Sequence, residues 1–197
     1  MFTTTAIILQ LRPHSDRAHI LHAYTRASGR AAFLIYGVGS RRKRSGVYAP
    51  LSLVELTVRE GRGSQLPTVE QVSLSYAPTL TQTDIRRQTV ALFLSELIAH
   101  TLSLPMQDEQ MFSFLQGVVH DLDQAPDPEN VHLRAMIGLA EQLGFAIDRE
   151  QYPLLTAMPE SRAQRQEQLR QLCAYYAEHV DSWRPLSSLD ILTEIFD

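Results

Sequence analysis

The chain has 197 residues, which is enough for one large domain or two small ones. Hydrophobic residues make up 44% and charged residues 20%, as in ordinary globular proteins, and no apolar run is long enough for a membrane span. The single cysteine, Cys173, excludes an internal disulfide and a cysteine-rich zinc site. No basic region precedes the short apolar run near the N-terminus, so we expect no secretory signal and a cytoplasmic location.

The formal net charge of −4 conceals opposite charges in the two parts of the chain. Residues 1–80 contain ten cations and four acids, whereas residues 81–197 contain eight cations and eighteen acids. The first part therefore carries +6 and the second −10. Such a division indicates two surfaces with different partners, and random drift of surface charge is the alternative.

Residues 4–76 have the pattern of short β-strands separated by turns. Within this stretch, positions 51–59 alternate in a way that predicts one buried and one exposed face. We expect Pro13 to end the first strand, because proline cannot donate a hydrogen bond to a neighbouring strand. The predicted strands cover residues 4–11, 18–25, 31–38, 51–59 and 67–76. Five such strands favour a small closed barrel of the oligonucleotide/oligosaccharide-binding (OB) type, which we place at residues 1–78.

The rest of the chain has helical patterns, so we predict an α+β protein whose second domain, residues 79–197, is an α-helical bundle. The first helix, from Asp84 to about Leu104, is apolar nearly all round, which is typical of the centre of a bundle. A third helix starts at Asp127-Pro128 and ends at Gly144. The other predicted helices follow Asp108, Ser161 and Ser187, and residues 145–160 are expected to be irregular.

The predicted helices suggest a role for the single cysteine and a cap for the last helix. The predicted helix that follows Ser161 places an apolar set on one face, which consists of Leu169, Leu172, Cys173, Tyr176, Ala177 and Val180. Cys173 is therefore interpreted as a core residue and not as a nucleophile. Ser187 with Asp190 three residues later resembles a capping box for a last short helix.

The candidate motifs for catalysis and metal binding lack the residues or the spacing that those functions require. His19 and His22 point to opposite faces of a strand, so they do not share a metal. The acidic stretch 121–132 departs from a calcium loop at Pro126 and His132. The chain contains neither a Walker-type phosphate loop nor a Gly-x-Ser-x-Gly motif. We therefore predict no enzymatic activity, no cofactor and no metal.

A cluster of four consecutive cations follows the third predicted strand between glycines. Rigid strands deliver such charge to one place, and glycines let a backbone approach closely, so we interpret the cluster as a nucleic-acid site. Tyr24, Tyr36 and Tyr48 are candidates for stacking with bases, and barrel-core roles are the alternative for each. A solvated loop or a protected strand edge is the alternative for the cations. The predicted DNA-binding residues are Arg26, Arg30, Arg41, Arg42, Lys43 and Arg44.

An ordered set of short motifs resembles the RecO family of recombination mediators, and looks closest to its Bacteroidetes forms. The motifs span most of the chain: residues 5–9, 15–17, 25–26, 29–30, 37, 41–44, 49–56, 84–97, 143–145, 175–176 and 187–192. The resemblance implies a DNA repair protein that binds single- and double-stranded DNA and anneals complementary strands. It also implies partnership with RecR in loading the recombinase RecA, and binding of the C-terminal tail of single-strand-binding protein.

Two departures from the family accompany this resemblance. Many relatives carry a four-cysteine zinc module, which one cysteine cannot form, and residues 146–165 are abbreviated. A protein-interaction scaffold with little DNA binding is therefore the alternative function. An acidic tail with an apolar end requires arginine beside an apolar pocket. The candidates for that contact are Arg86, Arg87 and Arg134, with internal ion pairs as the alternative for each.

Overall fold

A computed structural model of the chain describes residues 1–38, 46–61, 63–102, 104–181 and 183–196. Within these residues, five strands form a closed barrel and six helices follow it. We call these parts the barrel region (residues 2–74) and the helical region (residues 85–195). The predicted α+β arrangement of an OB-like barrel followed by helices is confirmed.

The barrel closes in the order β1-β2-β3-β5-β4, with β4 returning to β1. The short contact between β3 and β5 is parallel, and the other four pairings are antiparallel. Because every strand has two neighbours, the barrel leaves no open edge for pairing with another chain. The strands are β1 (Phe2–Ser15), β2 (Ala18–Thr25), β3 (Gly29–Tyr36), β4 (Leu53–Arg59) and β5 (Thr68–Leu74).

The predicted limits of β1, β3, β4 and β5 differ from the observed ones, and two of these differences have local reasons. β1 continues through Pro13 to Ser15, and Pro13 lies opposite His19 beside a register shift that interrupts the regular ladder. A proline is tolerated at such an irregularity because no ladder hydrogen bond has to be donated there. β4 begins at Leu53 and not at Leu51, because Leu51 has a left-handed backbone with a φ of 60°.

The strand β1 supplies side chains to two hydrophobic cores. Ala6 and Ile8 point into the barrel, whereas Ile7 and Leu9 point outward and pack among the helices. These four side chains are at most 3% exposed. The alternation of a strand thus joins the two regions through shared apolar burial, without a flexible connection at this point.

The helices begin where local capping residues predict them. Asp84, Asp108 and Ser161 are the N-caps of the first, second and fifth helices, and each side chain accepts a backbone N–H of the first turn. Ser161 also forms the complete capping box with Gln164. The helices are α1 (Ile85–Thr101), α2 (Glu109–Gln124), α3 (Pro128–Gln142), α4 (Pro153–Thr156), α5 (Arg162–His179) and α6 (Ser188–Ile195).

Helix α1 occupies the centre of the helical region, as its apolar composition predicts. Val90, Phe93, Leu94 and Leu97 are at most 1% exposed. The helix packs against α2, α3, α6 and strand β1. Since α1 is covered on several sides, it positions the rest of the helical region against the barrel. No helix among the described residues has the length and apolar character needed to cross a membrane.

The buried carboxylate of Asp123 fastens the connection between the two regions. It accepts the Tyr76 hydroxyl at 2.7 Å and the backbone N–H groups of Thr79, Leu80 and Thr81 at 3.0, 2.9 and 2.8 Å. Burial by itself raises the pKa of Asp123, but these hydrogen bonds outweigh burial and hold the pKa well below its usual value. The segment between barrel and helices is therefore tied to the end of α2.

The predicted capping box of the last helix is wrong, because α6 receives its cap from another helix. The Ser187 side chain makes no cap hydrogen bond. Instead, the carboxylate of Glu96 on α1 accepts the N–H groups of Ser187 and Ser188 at 2.9 and 2.8 Å. A carboxylate at a helix N-terminus satisfies orphan donors and complements the helix dipole. Helix α6 is thus docked on α1.

Two further details differ from the sequence pattern. The stretch 145–160 contains the short helix α4, so it is not entirely irregular. On α5, Ala177 is exposed, and Tyr175 is buried beside Tyr176 in its place. Cys173 is partly buried within the helical core, and burial raises the pKa of its thiol to about 11. Such a thiol is a poor nucleophile at neutral pH.

Candidate nucleic-acid interface

The loop predicted to bind phosphates lies outside the described residues. Arg41, Arg42, Lys43 and Arg44 fall between Val38 and Gly46, which are the nearest described positions on either side. Their role in DNA binding stays a prediction. Other cations lie on the outer face of the barrel, which is the described part of the candidate interface.

Arg30 lies on the outer face of the barrel near the start of β3. Its neighbour Ala31 and the next alternate residue, Phe33, point toward the barrel core, so Arg30 points away from it. The side chain is half-buried, and its Nη1 finds no hydrogen-bond acceptor among the described residues. Burial and the nearby charge of Arg12 lower the pKa of Arg30.

Arg12, His22 and Arg30 form a diagonal line across three neighbouring strands, which we call the basic row. Arg12 is opposite Ile20, two residues before His22, and Arg30 is opposite Tyr24, two residues after it. Diagonal neighbours of this kind lie within reach of long side chains. The pKa of His22 is lowered mainly by burial, and the charges of Arg30 and Arg12 lower it further. The basic row is therefore a set of groups that repel one another when charged.

Arg30 was predicted from the sequence as a binding residue, whereas Arg12 and His22 were not. Alternation along each strand was the available signal, because outward positions on paired strands share one face. A register shift between Ile8 and Gln10 changes that alternation in β1. The bulge therefore decides on which face of the sheet Arg12 lies, and no local sequence motif predicts that bulge.

Arg26 is held between the barrel and helix α2. Its guanidinium lies 4.7 Å from the centre of the Phe112 ring and donates to Gln116 at 3.3 Å. Its Nε is 3.4 Å from the carboxylate of Glu109, and the side chain keeps 43% exposure. Ion-pair and ring contacts thus engage Arg26 with the helical region, unlike the arginines of the basic row.

The three candidate tyrosines have different surroundings. Tyr24 is 3% exposed and stacks on Phe112 with ring centres 6.5 Å apart, so it is a core residue between the regions. Burial and the charge of Asp108 raise the pKa of Tyr24 to about 12. Tyr36 is 53% exposed and Tyr48 is half-buried at the barrel surface. Only Tyr36 and Tyr48 have ring surface available to a base.

Arg87, a predicted partner-binding residue, is an internal residue with 6% exposure. Its guanidinium donates to the carbonyl oxygen of Leu122, and to that of Ala125 at 2.7 Å. Its Nε is 3.3 Å from the carboxylate of Asp84. The guanidinium satisfies carbonyls at the C-terminal end of α2, which have no partner within that helix. The contacts therefore favour the internal alternative.

Arg134 and Arg86 complete the predicted partner-binding set. Arg134 lies between two carboxylates, with Asp121 at 3.0 Å and Asp127 at 3.1 Å. Burial alone lowers the pKa of Arg134, but these two acids outweigh it and raise the pKa. Arg86 is exposed on the first turn of α1. The structure does not join these three arginines into one surface, and Arg86 alone among them is exposed.

The described residues contain no cluster of three or more His, Cys, Asp or Glu side chains that could hold a metal ion. Buried histidines have other surroundings. His132 is 2% exposed between the rings of Phe93 and Phe196, and burial lowers its pKa to about 3. A neutral imidazole among aromatic rings is a core residue.

Two family models match the chain in sequence order. Residues 1–77 match the family described as Recombination protein O N terminal, and residues 82–152 match Recombination protein O C terminal. The first match covers the barrel region, and the second covers the helical region from before α1 through α3.

Curated proteins named DNA repair protein RecO are similar over nearly their whole lengths. Those of Flavobacterium johnsoniae and Phocaeicola vulgatus are 25% identical, with 98% of each chain covered. That of Porphyromonas gingivalis is 25% identical with 100% of each chain covered. These organisms are members of the Bacteroidetes, so the expected likeness to Bacteroidetes forms is confirmed. The alignment with the Flavobacterium protein spans 232 positions against 197 residues here, so that relative contains residues without a counterpart.

Proposed function

Because the chain belongs to the RecO family of DNA repair proteins, we propose that it is a non-enzymatic recombination mediator. It binds single- and double-stranded DNA, anneals complementary strands and, with RecR, helps to load the recombinase onto DNA coated with single-strand-binding protein. The observation that carries the proposal is the ordered match of both family models to the barrel and to the helices. The DNA partner implies a cytoplasmic location at the nucleoid.

The distribution of charge supports this division of labour. The first eighty residues carry +6, and phosphate contacts supply much of the affinity of DNA-binding proteins. The remainder of the chain carries −10, which repels DNA and suits contacts with other proteins. We therefore assign DNA to the barrel region and protein partners to the helical region.

The basic loop is tested by replacing Arg41, Arg42, Lys43 and Arg44 together with alanine. If each cation neutralises one phosphate, the slope of log affinity for a single strand against log salt becomes shallower by about 3. Fluorescence anisotropy with a labelled oligonucleotide over a salt series measures that slope. A variant with Arg59 and Arg170 replaced by alanine controls for loss of charge, because both residues are paired with acids elsewhere. Unchanged affinity and slope in the loop variant would remove the loop from the DNA site.

A protein-interaction scaffold is the second candidate, supported by the acidic helical region and by the shorter chain. The two functions separate in one experiment. Absence of binding to oligonucleotides at micromolar protein and low salt favours the scaffold, because weak electrostatic binding is strongest there.

Contact with the tail of single-strand-binding protein is tested separately. Arg86 is the exposed member of the three arginines proposed for that contact. Its replacement by alanine is therefore expected to weaken the binding of a tail peptide more than replacement of the other two. Isothermal titration calorimetry compares this variant with Arg134→Ala, whose guanidinium is already paired with Asp121 and Asp127. Equal affinity in wild type and both variants would exclude these positions.

A further inference from the structure

A cleft separates the outer face of the barrel from helices α1 and α6. Its volume is about 530 Å³, within the range of ligand pockets. The barrel side contains two arginines and a tyrosine, and the helical side combines polar side chains with the apolar side chains of Leu92, Ala99 and Ile191. The residues that matter here are Arg12, Arg30 and Tyr48 on the barrel side and Leu92, His100 and Ile191 on the helical side. We call it the barrel–helix cleft.

The two arginines of this cleft lack the acidic partners that Arg26, Arg59, Arg87, Arg134 and Arg170 have. Neither Arg12 nor Arg30 forms a salt bridge with a described carboxylate. Arg30 also has a buried Nη1 without an acceptor. Buried donors in native proteins are nearly always satisfied, so this Nη1, on a residue that lines an open cleft, is a donor available to a ligand.

The acid that lines the cleft does not pair with these cations. Glu96 lines the same cleft, but its two carboxylate oxygens accept the N–H groups of Ser187 and Ser188 and the Ser188 hydroxyl. Burial raises the pKa of Glu96, but the hydrogen bonds from Ser188 and Ser187, with a smaller contribution from the charge of His100, outweigh burial and lower it. The charge of Glu96 is thus committed to the α6 N-terminus, and the barrel side of the cleft stays cationic.

A ligand for this cleft must supply anionic oxygens to Arg12 and Arg30 and a flat or apolar group to Tyr48, Leu92 and Ile191. Arginine guanidinium groups match the geometry of phosphate oxygens. The rings and apolar side chains of Tyr48, Leu92 and Ile191 suit an unstacked base. A base is free to enter such a cleft only in a single strand, because in a duplex it is paired and stacked.

We propose that the barrel–helix cleft holds a segment of single-stranded nucleic acid, with phosphates on Arg12 and Arg30 and a base against Tyr48. The proposal rests on the proposed DNA-binding function and extends it to residues apart from the loop at 41–44. His22, the middle of the basic row, lies between the two arginines and adds positive charge when protonated.

The test uses the full chain with Arg12 and Arg30 both replaced by glutamine. Affinity for a labelled single strand of about 16 nucleotides, the upper site size of one OB barrel, is expected to fall at least tenfold. The slope against log salt becomes shallower by about 1.4, because two phosphate contacts are lost. Affinity for a duplex of equal length changes by less than about twofold. The control is Arg59→Gln with Arg170→Gln, which removes the same charge from paired sites outside the cleft.

A second pair of variants tests the base contact without changing charge. Tyr48→Leu is expected to weaken single-strand binding by at least about fivefold with the salt slope unchanged, since base stacking contributes on that scale. Tyr48→Phe keeps the ring and is expected to restore the affinity. Thermal unfolding of each variant verifies that the fold is retained, because Tyr48 also packs partly against the barrel core.

The outcomes separate this proposal from the function on which it rests. Wild-type affinity in the Arg12/Arg30 variant, together with weakened binding in the loop variant, overturns the cleft and leaves the DNA-binding function intact. Absence of binding by the wild-type chain overturns both. Equal losses for the single strand and the duplex overturn the single-strand assignment. So does binding of an acidic peptide that depends on Arg12 and Arg30 and occurs without DNA binding.

Discussion

In the helical region, Arg87 and Asp123 are buried charges with hydrogen-bond partners on several sides. On the outer face of the barrel, Arg12 and Arg30 lie on the same face as His22 with no salt-bridge partner among the described acids. These two sites thus differ in how their charges are compensated by the described residues. Charges of the first kind stabilise the fold, whereas a group of like charges opposes it slightly.

The contrast locates function by elimination. A cation whose donors are already bonded within the chain, such as Arg87, has few free donors for a ligand. A cation held beside other cations is costly unless something neutralises it, and proteins retain such arrangements mainly at binding sites. Arg87 and Arg134 are therefore poor guides to a partner, whereas Arg12 and Arg30 are good ones.

Replacing Asp123 by alanine is expected to have the largest effect on stability. The change leaves the Tyr76 hydroxyl and three backbone N–H groups without an acceptor, so the free energy of unfolding falls by about 3–4 kcal/mol. Urea unfolding followed by circular dichroism measures the loss. Asp181→Ala, at an exposed position, is the matched control with an expected change below about 0.5 kcal/mol.

The pH dependence of the same carboxylate sharpens the result. Because the pKa of Asp123 is lower in the folded than in the unfolded chain, the unfolded state binds the proton first as pH falls. The stabilisation is complete above about pH 4, the ordinary aspartate value, and is lost progressively below it. Asp123→Asn is expected to flatten this acid limb. If the variant loses stability at acid pH as the wild type does, Asp123 is not an ionised, hydrogen-bonded carboxylate in the folded chain.

Arg87→Met is expected to be the next largest change. Methionine keeps the apolar stem but leaves the carbonyls of Leu122 and Ala125 without their donor and Asp84 without its cation. The free energy of unfolding falls by about 2–3 kcal/mol. Arg86→Met, one residue away and exposed, is the control. Equal free energies of unfolding for the two variants would contradict this prediction, because Arg87 would then stabilise the fold no more than the exposed Arg86 does.

The smallest expected effect on stability belongs to Arg30→Gln. Removing one cation from the basic row relieves repulsion with Arg12, so the free energy of unfolding stays within about 0.5 kcal/mol or rises. Differential scanning calorimetry at low salt, where exposed charges are least screened, gives the clearest reading. A loss above about 1 kcal/mol would mean that Arg30 has a structural partner and is not held for a ligand.

The elements of this fold were predictable where their signals are local. The second strand has the predicted limits 18–25, and Asp84, Asp108 and Ser161 cap the helices that their positions predict. Capping involves hydrogen bonds within one turn of chain, so residue type and spacing suffice. The cap of α6 failed because its acceptor, Glu96, lies ninety-one residues earlier than Ser187.

For the candidate site, the sequence identified Arg30 but neither Arg12 nor His22. The bulge in β1 sets the face on which Arg12 lies, and the pairing of β1, β2 and β3 brings the three side chains into line. Likewise, only packing against α2 distinguishes the buried Tyr24 from the partly open Tyr48.

The amino-acid sequence by itself determined that a β-rich basic part precedes a helical acidic part, and it carried the motifs of the RecO family. The tertiary structure alone decided which arginines are already bound by the chain: Arg87 by carbonyls at the end of α2, Arg134 by two acids, and Arg12 and Arg30 by none that the structure describes. The reason is physical. Hydrogen bonds and ion pairs act over a few ångströms through space, and distance along the chain does not reveal which groups come that close.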